Sequence, residues 1–124
     1  MKKLLVVSIM LILPSISFGY TGNELLRDCG LAIRGFNGEK LINADHEKAG
    51  VCLGYVEAIV DEQRLVPTSL QFFCIPSNIT YEQDIRIIVK YLNDHPEQLK
   101  WDANALIKHA LDQAFPCKKG KIRR

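Results

Sequence analysis

Four cysteines constrain the fold of this 124-residue chain more than any other feature: Cys29, Cys52, Cys74 and Cys117. None belongs to a C-x-x-C pair, and the gaps of 22, 21 and 42 intervening residues fit no common zinc-binding pattern. In a small exported chain, an even number of cysteines is typical of disulfides. If the chain is exported, we therefore expect two disulfides, no bound metal and no free thiol.

The first 19 residues have the layout of a secretory signal peptide. Two lysines precede an apolar run at positions 4–13, and small residues follow up to Gly19. The apolar run is too short to cross a bilayer, which takes about 20 residues. We predict cleavage after Gly19 and export of a soluble periplasmic domain, residues 20–117, that has no membrane span.

The charges of the expected mature chain are unevenly distributed. The tail at 118–124 has five basic residues and no acidic one, and we interpret it as a disordered extension. The body at 20–117 has nine basic and fourteen acidic residues, a net charge of −5. This charge disfavours nucleic acid as a partner, because binding to phosphate depends on clustered lysine and arginine.

The hydrophobic periodicity predicts four amphipathic helices and therefore an all-α fold, a small four-helix bundle. The first and third helices begin with the sequence pattern of a capping box, at Thr21 and at Thr80. The first helix is expected to end near Gly35. The third should stop before Pro96, because the residue preceding a proline avoids the helical conformation. Asp102 is expected to cap the fourth helix.

The second predicted helix has an apolar stripe along one side. We expect it to begin at Asn43 or Asp45, either of which could cap it, and to continue to about Arg64. Gly50 and Gly54 lie four residues apart, and we interpret them as an edge against which another backbone packs closely. The stripe consists of Cys52, Tyr55, Val56, Ile59 and Val60.

Antiparallel packing of neighbouring helices selects one of the three ways to pair four cysteines. Cys29 and Cys52 lie on either side of the loop between the first two helices. Their distances from that loop, measured along the helix axes, differ by less than one turn. Cys74 precedes the third helix and Cys117 follows the fourth, so antiparallel packing of these two helices brings the two cysteines together. We predict the disulfides Cys29–Cys52 and Cys74–Cys117.

The sequence contains no motif that we can assign to catalysis. His46 and Glu47 begin like a zincin helix, but Gly50 stands where H-E-x-x-H has its second histidine. Glu57 and Asp61 share one helix face, and a carboxylate pair on the polar side of an amphipathic helix is typical of a solvated surface rather than a catalytic cleft. We predict that the protein is not an enzyme and uses no cofactor or metal.

Six short motifs follow one another along residues 22–117 and include all four cysteines. They are Gly22-Asn23-x-Leu25-Leu26-x-x-Cys29, Cys52-Leu53-Gly54-Tyr55-Val56, Phe73-Cys74-Ile75-Pro76, Thr80-x-x-Gln83, Tyr91-Leu92-x-x-His95-Pro96 and Ala110-Leu111-x-x-Ala114-Phe115-Pro116-Cys117. As an ordered set, they resemble the Rap/Tai family of immunity proteins from bacterial type VI secretion. The resemblance implies a periplasmic helical protein that binds and blocks a secreted effector, commonly a peptidoglycan amidase.

A second class of protein also fits part of the sequence: periplasmic chaperones activated by acid, which expose apolar surface at low pH. The body's charge of −5 would invert on acidification, as such a mechanism requires. Two disulfides favour a rigid molecule instead. A neighbouring gene for an exported hydrolase would favour the immunity interpretation.

The partner-binding surface is expected outside the apolar stripes. We favour the loop from Arg64 to Gln71, whose apolar tip beside Pro67 suits insertion into a cleft, and the acidic face of the second helix, which could attract a basic effector. The alternative is that the loop's apolar side chains cover the end of the bundle. A homodimer is a further assembly that we keep open. The predicted contact residues are Glu57, Asp61, Glu62, Leu65 and Val66.

Overall fold

A computed structural model of the protein describes residues 19–118. The helices are α1 (Gly22–Phe36), α2 (Asn43–Leu65), α3 (Tyr81–Asp94) and α4 (Ala103–Ala114), with single 3₁₀ turns at Thr68–Leu70 and Pro96–Gln98. Within this range there are no strands beyond one isolated bridge between Thr21 and Asp102. The predicted all-α fold of four helices is confirmed. Residues 1–18 of the predicted signal peptide and 119–124 of the predicted tail lie outside the described residues.

Side-chain caps begin three of the four helices as the sequence predicts. At α1, Glu24 Oε2 accepts a hydrogen bond from the backbone N–H of Thr21 at 2.8 Å, and the Thr21 hydroxyl accepts one from the N–H of Glu24. Thr80 and Gln83 form the same capping box at α3. Asp102 caps α4 by accepting from the backbone N–H of the third residue after it, at 3.2 Å. These bonds satisfy amides that have no partner within the helix.

α2 begins at Asn43, as predicted, but the prediction that Asn43 or Asp45 caps it is wrong. The N-cap is Ile42, whose apolar side chain cannot accept a hydrogen bond from the helix. Both predicted caps already lie inside the helix. The backbone N–H groups of Asp45 and His46 donate to the carbonyl oxygen of Ile42 at 2.9 and 3.0 Å. Asp45 instead lies in the first turn, where its negative charge suits the positive end of the helix dipole.

The core lies where α1 packs against α2 and α3, and where α3 packs against α4. Gly50 and Gly54 do not contribute to it: both are exposed, and a Cβ added at either would meet no atom within 4 Å. The interpretation that another backbone packs against them is therefore wrong for the described residues, because α2 contacts its neighbours through the stripe that contains Cys52. The fully buried side chains include Leu25, Val56, Ile85, Ile88, Leu92, Leu106, Ile107 and Leu111.

Gly22 allows the chain that enters α1 to lie against the connection before α4. Its N–H donates to the carbonyl of Trp101 at 2.9 Å, and the N–H of Asn23 donates to the carbonyl of Leu99 at 2.8 Å. A Cβ at Gly22 would lie 2.8 Å from the Leu99 carbonyl oxygen. This close approach requires glycine.

Both predicted disulfides are confirmed. Cys29–Cys52 joins α1 to α2, with the two Cα atoms 5.1 Å apart. Cys74–Cys117 joins the connection before α3 to the residues after α4, with the Cα atoms 4.9 Å apart. The second disulfide fixes the long segment between α2 and α3 near its middle, and this segment carries the candidate functional site.

Candidate functional site

Residues 65–72, here called the apolar loop, place three large apolar side chains in solvent. Leu65 is 86% exposed, Leu70 68% and Phe72 59%. Val66 is half-buried. Leu65 and Leu70 therefore do not cover the end of the bundle, and that alternative is wrong for them. Clustered apolar side chains on a surface are typical of contact sites for other proteins.

One buried side chain of α2 ties the apolar loop to the bundle. Gln63 is 5% exposed, and its Oε1 accepts a hydrogen bond from the backbone N–H of Phe72 at 2.7 Å. Within the loop, Nε2 of Gln71 donates to the carbonyl oxygen of Val66 at 3.0 Å. The 3₁₀ turn Thr68–Leu70 lies between these two residues. The loop's backbone therefore has a defined path although its side chains are exposed.

The chain is anchored again directly after the apolar loop. Phe73 is 1% exposed and packs in the core, so that Phe72 and Phe73 point to opposite sides, as successive residues of extended backbone do. The N–H of Cys74 donates to the carbonyl oxygen of Phe115 at 2.8 Å, beside the disulfide to Cys117. Two adjacent phenylalanines form no pattern that distinguishes the exposed one, so the sequence did not mark Phe72 as a surface residue.

The acidic face of α2 lies beside the loop. Of the three predicted contact residues on it, Asp61 and Glu62 are exposed and Glu57 is half-buried. Asp61 Oδ1 accepts a hydrogen bond from the Tyr81 hydroxyl at 2.6 Å and lies 3.4 Å from Nη1 of Arg64. The bond to Asp61 raises the pKa of Tyr81. Asp61 thus links α2 to α3 as well as presenting charge.

On its other side, the apolar loop meets α4. The ammonium of Lys108 lies 4.4 Å from the centre of the Phe72 ring, in a cation–π contact. An open groove of about 250 Å³ adjoins the ring. The sequence interpretation did not include these residues of α4, because only the folded chain brings them to the loop. The groove is lined by Phe72, Ala105, Lys108, His109 and Asp112.

A buried carboxyl group lies in the first turn of α3. Asp84 is 0% exposed, and neither of its side-chain oxygens has a hydrogen-bond partner among the described residues. Burial raises the pKa of Asp84 to about 6, and the positive charge of Arg64 opposes this rise. Asp28, the buried carboxyl of α1, contrasts with it, because it accepts hydrogen bonds from the Tyr20 hydroxyl and from Arg27.

The described residues contain no cluster suited to metal binding or thiol chemistry. Between 19 and 118, no three His, Cys, Asp or Glu side chains are gathered as a metal site would need. All four cysteines in this range are in disulfides. No helix in the same range has the length and apolar character to span a membrane.

The fold and this surface define a class of protein: small, all-α, stapled by two disulfides, with an apolar loop held in place on its surface. The family model of the Rap1a immunity proteins matches residues 21–117. The chain belongs to this family, and the resemblance seen in its motifs is confirmed. Comparison with curated proteins gave no match, and neither did comparison with solved structures. The family and the disulfides together indicate a compartment outside the cytoplasm.

Proposed function

We propose that this immunity protein neutralises a type VI secretion effector in the periplasm by covering the effector's active site with the apolar loop. The observation that carries the proposal is the exposure of Leu65, Leu70 and Phe72 on a backbone whose path is fixed by hydrogen bonds. Inhibition of this kind needs no chemistry from the inhibitor. It needs a complementary surface that pays little ordering cost when it binds.

Burial of the apolar loop supplies a favourable free energy of the right size. Complete burial of one large apolar side chain contributes about 1.5–3 kcal/mol, so burial of three contributes on the order of 5–9 kcal/mol before the costs of association. Energetic hot spots in interfaces are typically a few such anchors near the centre, surrounded by polar residues. Charged residues lie near the loop's apolar side chains: the acidic residues of α2 precede the loop in sequence, and Lys108 contacts Phe72.

The acidic face is proposed to steer the effector toward the loop. Glu57, Asp61 and Glu62 supply three of the fourteen acidic residues in a body whose net charge is −5. A basic effector would therefore be attracted over a distance of about 10 Å at ordinary salt concentrations. Charge of this kind acts mainly on the rate of association.

We propose a peptidoglycan amidase as the effector class. Cell-wall hydrolases act where the wall is, and the predicted signal peptide would deliver the immunity protein to the same compartment. Such a hydrolase cleaves a polymer in an open cleft, and a protruding apolar loop is the shape that can enter a cleft. The family resemblance supports this class of effector.

The test is protection of cells against a candidate peptidoglycan amidase effector, for example one encoded beside this gene, directed to the periplasm. Cells that make the wild-type protein should survive. Cells that make Leu65→Asp, or charge-reversed Asp61 and Glu62, should lyse although these variants remain folded. Val51→Asp is the matched control: Val51 is 52% exposed on the same helix but lies about 21 Å from Leu65 along its axis, so this variant should protect.

Two results would contradict the proposal. Folded Leu65→Asp that still protects fully would mean that another surface binds the effector. A protein that protects against no hydrolase but suppresses aggregation at low pH alone would be a chaperone.

A further inference from the structure

We propose that Gln63 is a positioning residue, whose side chain fixes the apolar loop in the conformation that binds the effector. The inference rests on the proposed function and adds a residue that does not itself touch the partner, since Gln63 is 5% exposed. Its side chain meets the loop through the hydrogen bond that Oε1 accepts from the N–H of Phe72 at 2.7 Å.

The apolar loop needs such a restraint because other conformations compete with the exposed one. Fifteen residues connect α2 to α3, and a connection of this length has many conformations unless contacts fix it. Leu65, Leu70 and Phe72 would lower their free energy by folding back onto the protein. The Cys74–Cys117 disulfide fixes this connection at Cys74. Gln63 ties the part that precedes Cys74 to α2 through Phe72.

The position of Gln63 in the helix supports this role. It lies three residues after Val60 and so continues the buried stripe of α2. A polar side chain at a core position costs free energy unless it is hydrogen-bonded, and an apolar residue of the same length would pack there without that cost. What glutamine offers at this position is an acceptor for the backbone of the loop.

The consequence for binding follows from the population of the ordered loop. If only a fraction of the molecules hold the loop ready, the apparent dissociation constant rises by the inverse of that fraction. Loss of one hydrogen bond typically shifts such an equilibrium by about threefold to tenfold. The loss of affinity should therefore match the loss of loop order, measured without any partner.

The experiment compares Gln63→Met with Gln63→Glu. Methionine keeps the length of the side chain and its packing but has no comparable acceptor, whereas glutamic acid retains an acceptor oxygen. Gln98→Met is the control: Gln98 accepts a hydrogen bond from the Tyr91 hydroxyl at 2.8 Å, at a different connection. Amide hydrogen exchange at Phe72, urea unfolding, and affinity for a purified peptidoglycan amidase against which the wild type protects are measured for each variant.

We expect the Phe72 amide to be protected in the wild type and about threefold to tenfold less protected in Gln63→Met, with Kd raised by the ratio of the two ordered fractions that exchange reports. Gln63→Glu and Gln98→Met should keep both properties. An unprotected Phe72 amide in the folded wild type overturns the inference, as does a Gln63→Met variant whose exchange is unchanged or whose Kd departs from that ratio. Failure of the wild type to bind any hydrolase refutes the proposed function instead. The exchange result needs no partner, so it still tests whether Gln63 orders the loop.

Discussion

Replacement of Asp84 by asparagine should stabilise the protein at neutral pH and much less in acid. The Asp84 carboxyl is 0% exposed and has no hydrogen-bond partner for either oxygen within residues 19–118. Burial raises its pKa to about 6 from an ordinary value of 3.8. The folded state therefore holds the proton more tightly than the unfolded state does. For a group of this kind, stability is greatest below the unfolded pKa and falls as pH rises through the folded pKa.

The size of the effect follows from the shift. Each unit of pKa difference corresponds to 1.36 kcal/mol, so a shift of about two units destabilises the folded protein by about 3 kcal/mol above pH 7. At pH 4 the same group costs well under 1 kcal/mol, because most of it is protonated in the folded state. Any fixed cost of burying the asparagine amide is the same at both pH values and cancels when they are compared.

Urea unfolding of the wild type and of Asp84→Asn at pH 4 and pH 7.5, with disulfides intact, measures the effect. The free energy gained by the variant should be about 2 kcal/mol larger at pH 7.5 than at pH 4. Glu62→Gln removes an exposed carboxylate and should show no such difference. Arg64→Gln should enlarge the wild type's pH dependence, because the charge of Arg64 lowers the pKa of Asp84. An equal gain from Asp84→Asn at both pH values would refute the reasoning.

The sign of this effect also bears on the chaperone alternative. A chaperone activated by acid must loosen when the pH falls. Protonation of Asp84 acts in the opposite direction, because it removes a buried charge and tightens the fold between about pH 6 and pH 4. The protonation of Asp84 is therefore evidence against activation by acid, because it stabilises the folded protein at mildly acidic pH.

Three further predictions concern the fold and the charged face. Removing the Cys74–Cys117 disulfide by paired serine substitution should lower the free energy of unfolding by about 2–5 kcal/mol, measured by urea unfolding. Gly22→Ala should destabilise by about 1–3 kcal/mol, because its Cβ would lie 2.8 Å from a backbone carbonyl oxygen, whereas Gly30→Ala, with no atom within 4 Å, should not destabilise. Charge reversal at Asp61 and Glu62 should slow association with a basic effector at low salt, and stopped-flow kinetics should show the difference shrinking as salt is added.

The bundle could be predicted from sequence because its signals are local. Thr21 and Thr80 each stand three residues before a side chain that completes a capping box, and both boxes form. The apolar spacing located the first two helices, and Cys29 and Cys52 lie at similar distances from the loop that connects them. This similarity predicted their disulfide. The cap of α2 at Ile42 was not predictable in this way, since the Ile42 side chain makes no hydrogen bond and backbone bonds alone begin that helix.

The loop and its supports depend on contacts between residues far apart in the chain, which periodicity does not report. Leu65 could be placed on the loop from sequence, but the bond from Phe72 to Gln63 and the contact with Lys108 arise only in the folded chain. Gln63 and Asp84 do leave a signal, because each is a polar residue at a buried helix position. The sequence could not show that one is hydrogen-bonded and the other is not.

The central claim is that the apolar loop occupies the active site of a wall hydrolase. The most direct test is the steady-state rate at which a peptidoglycan amidase against which the protein protects cleaves a soluble peptidoglycan fragment, measured against increasing concentrations of the immunity protein. If the loop occupies the active site, the inhibition competes with the fragment, so that the apparent KM rises and kcat is unchanged. Leu65→Asp should lose this inhibition, and Val51→Asp should keep it. Inhibition that lowers kcat without raising KM, or full inhibition by folded Leu65→Asp, would contradict the central claim.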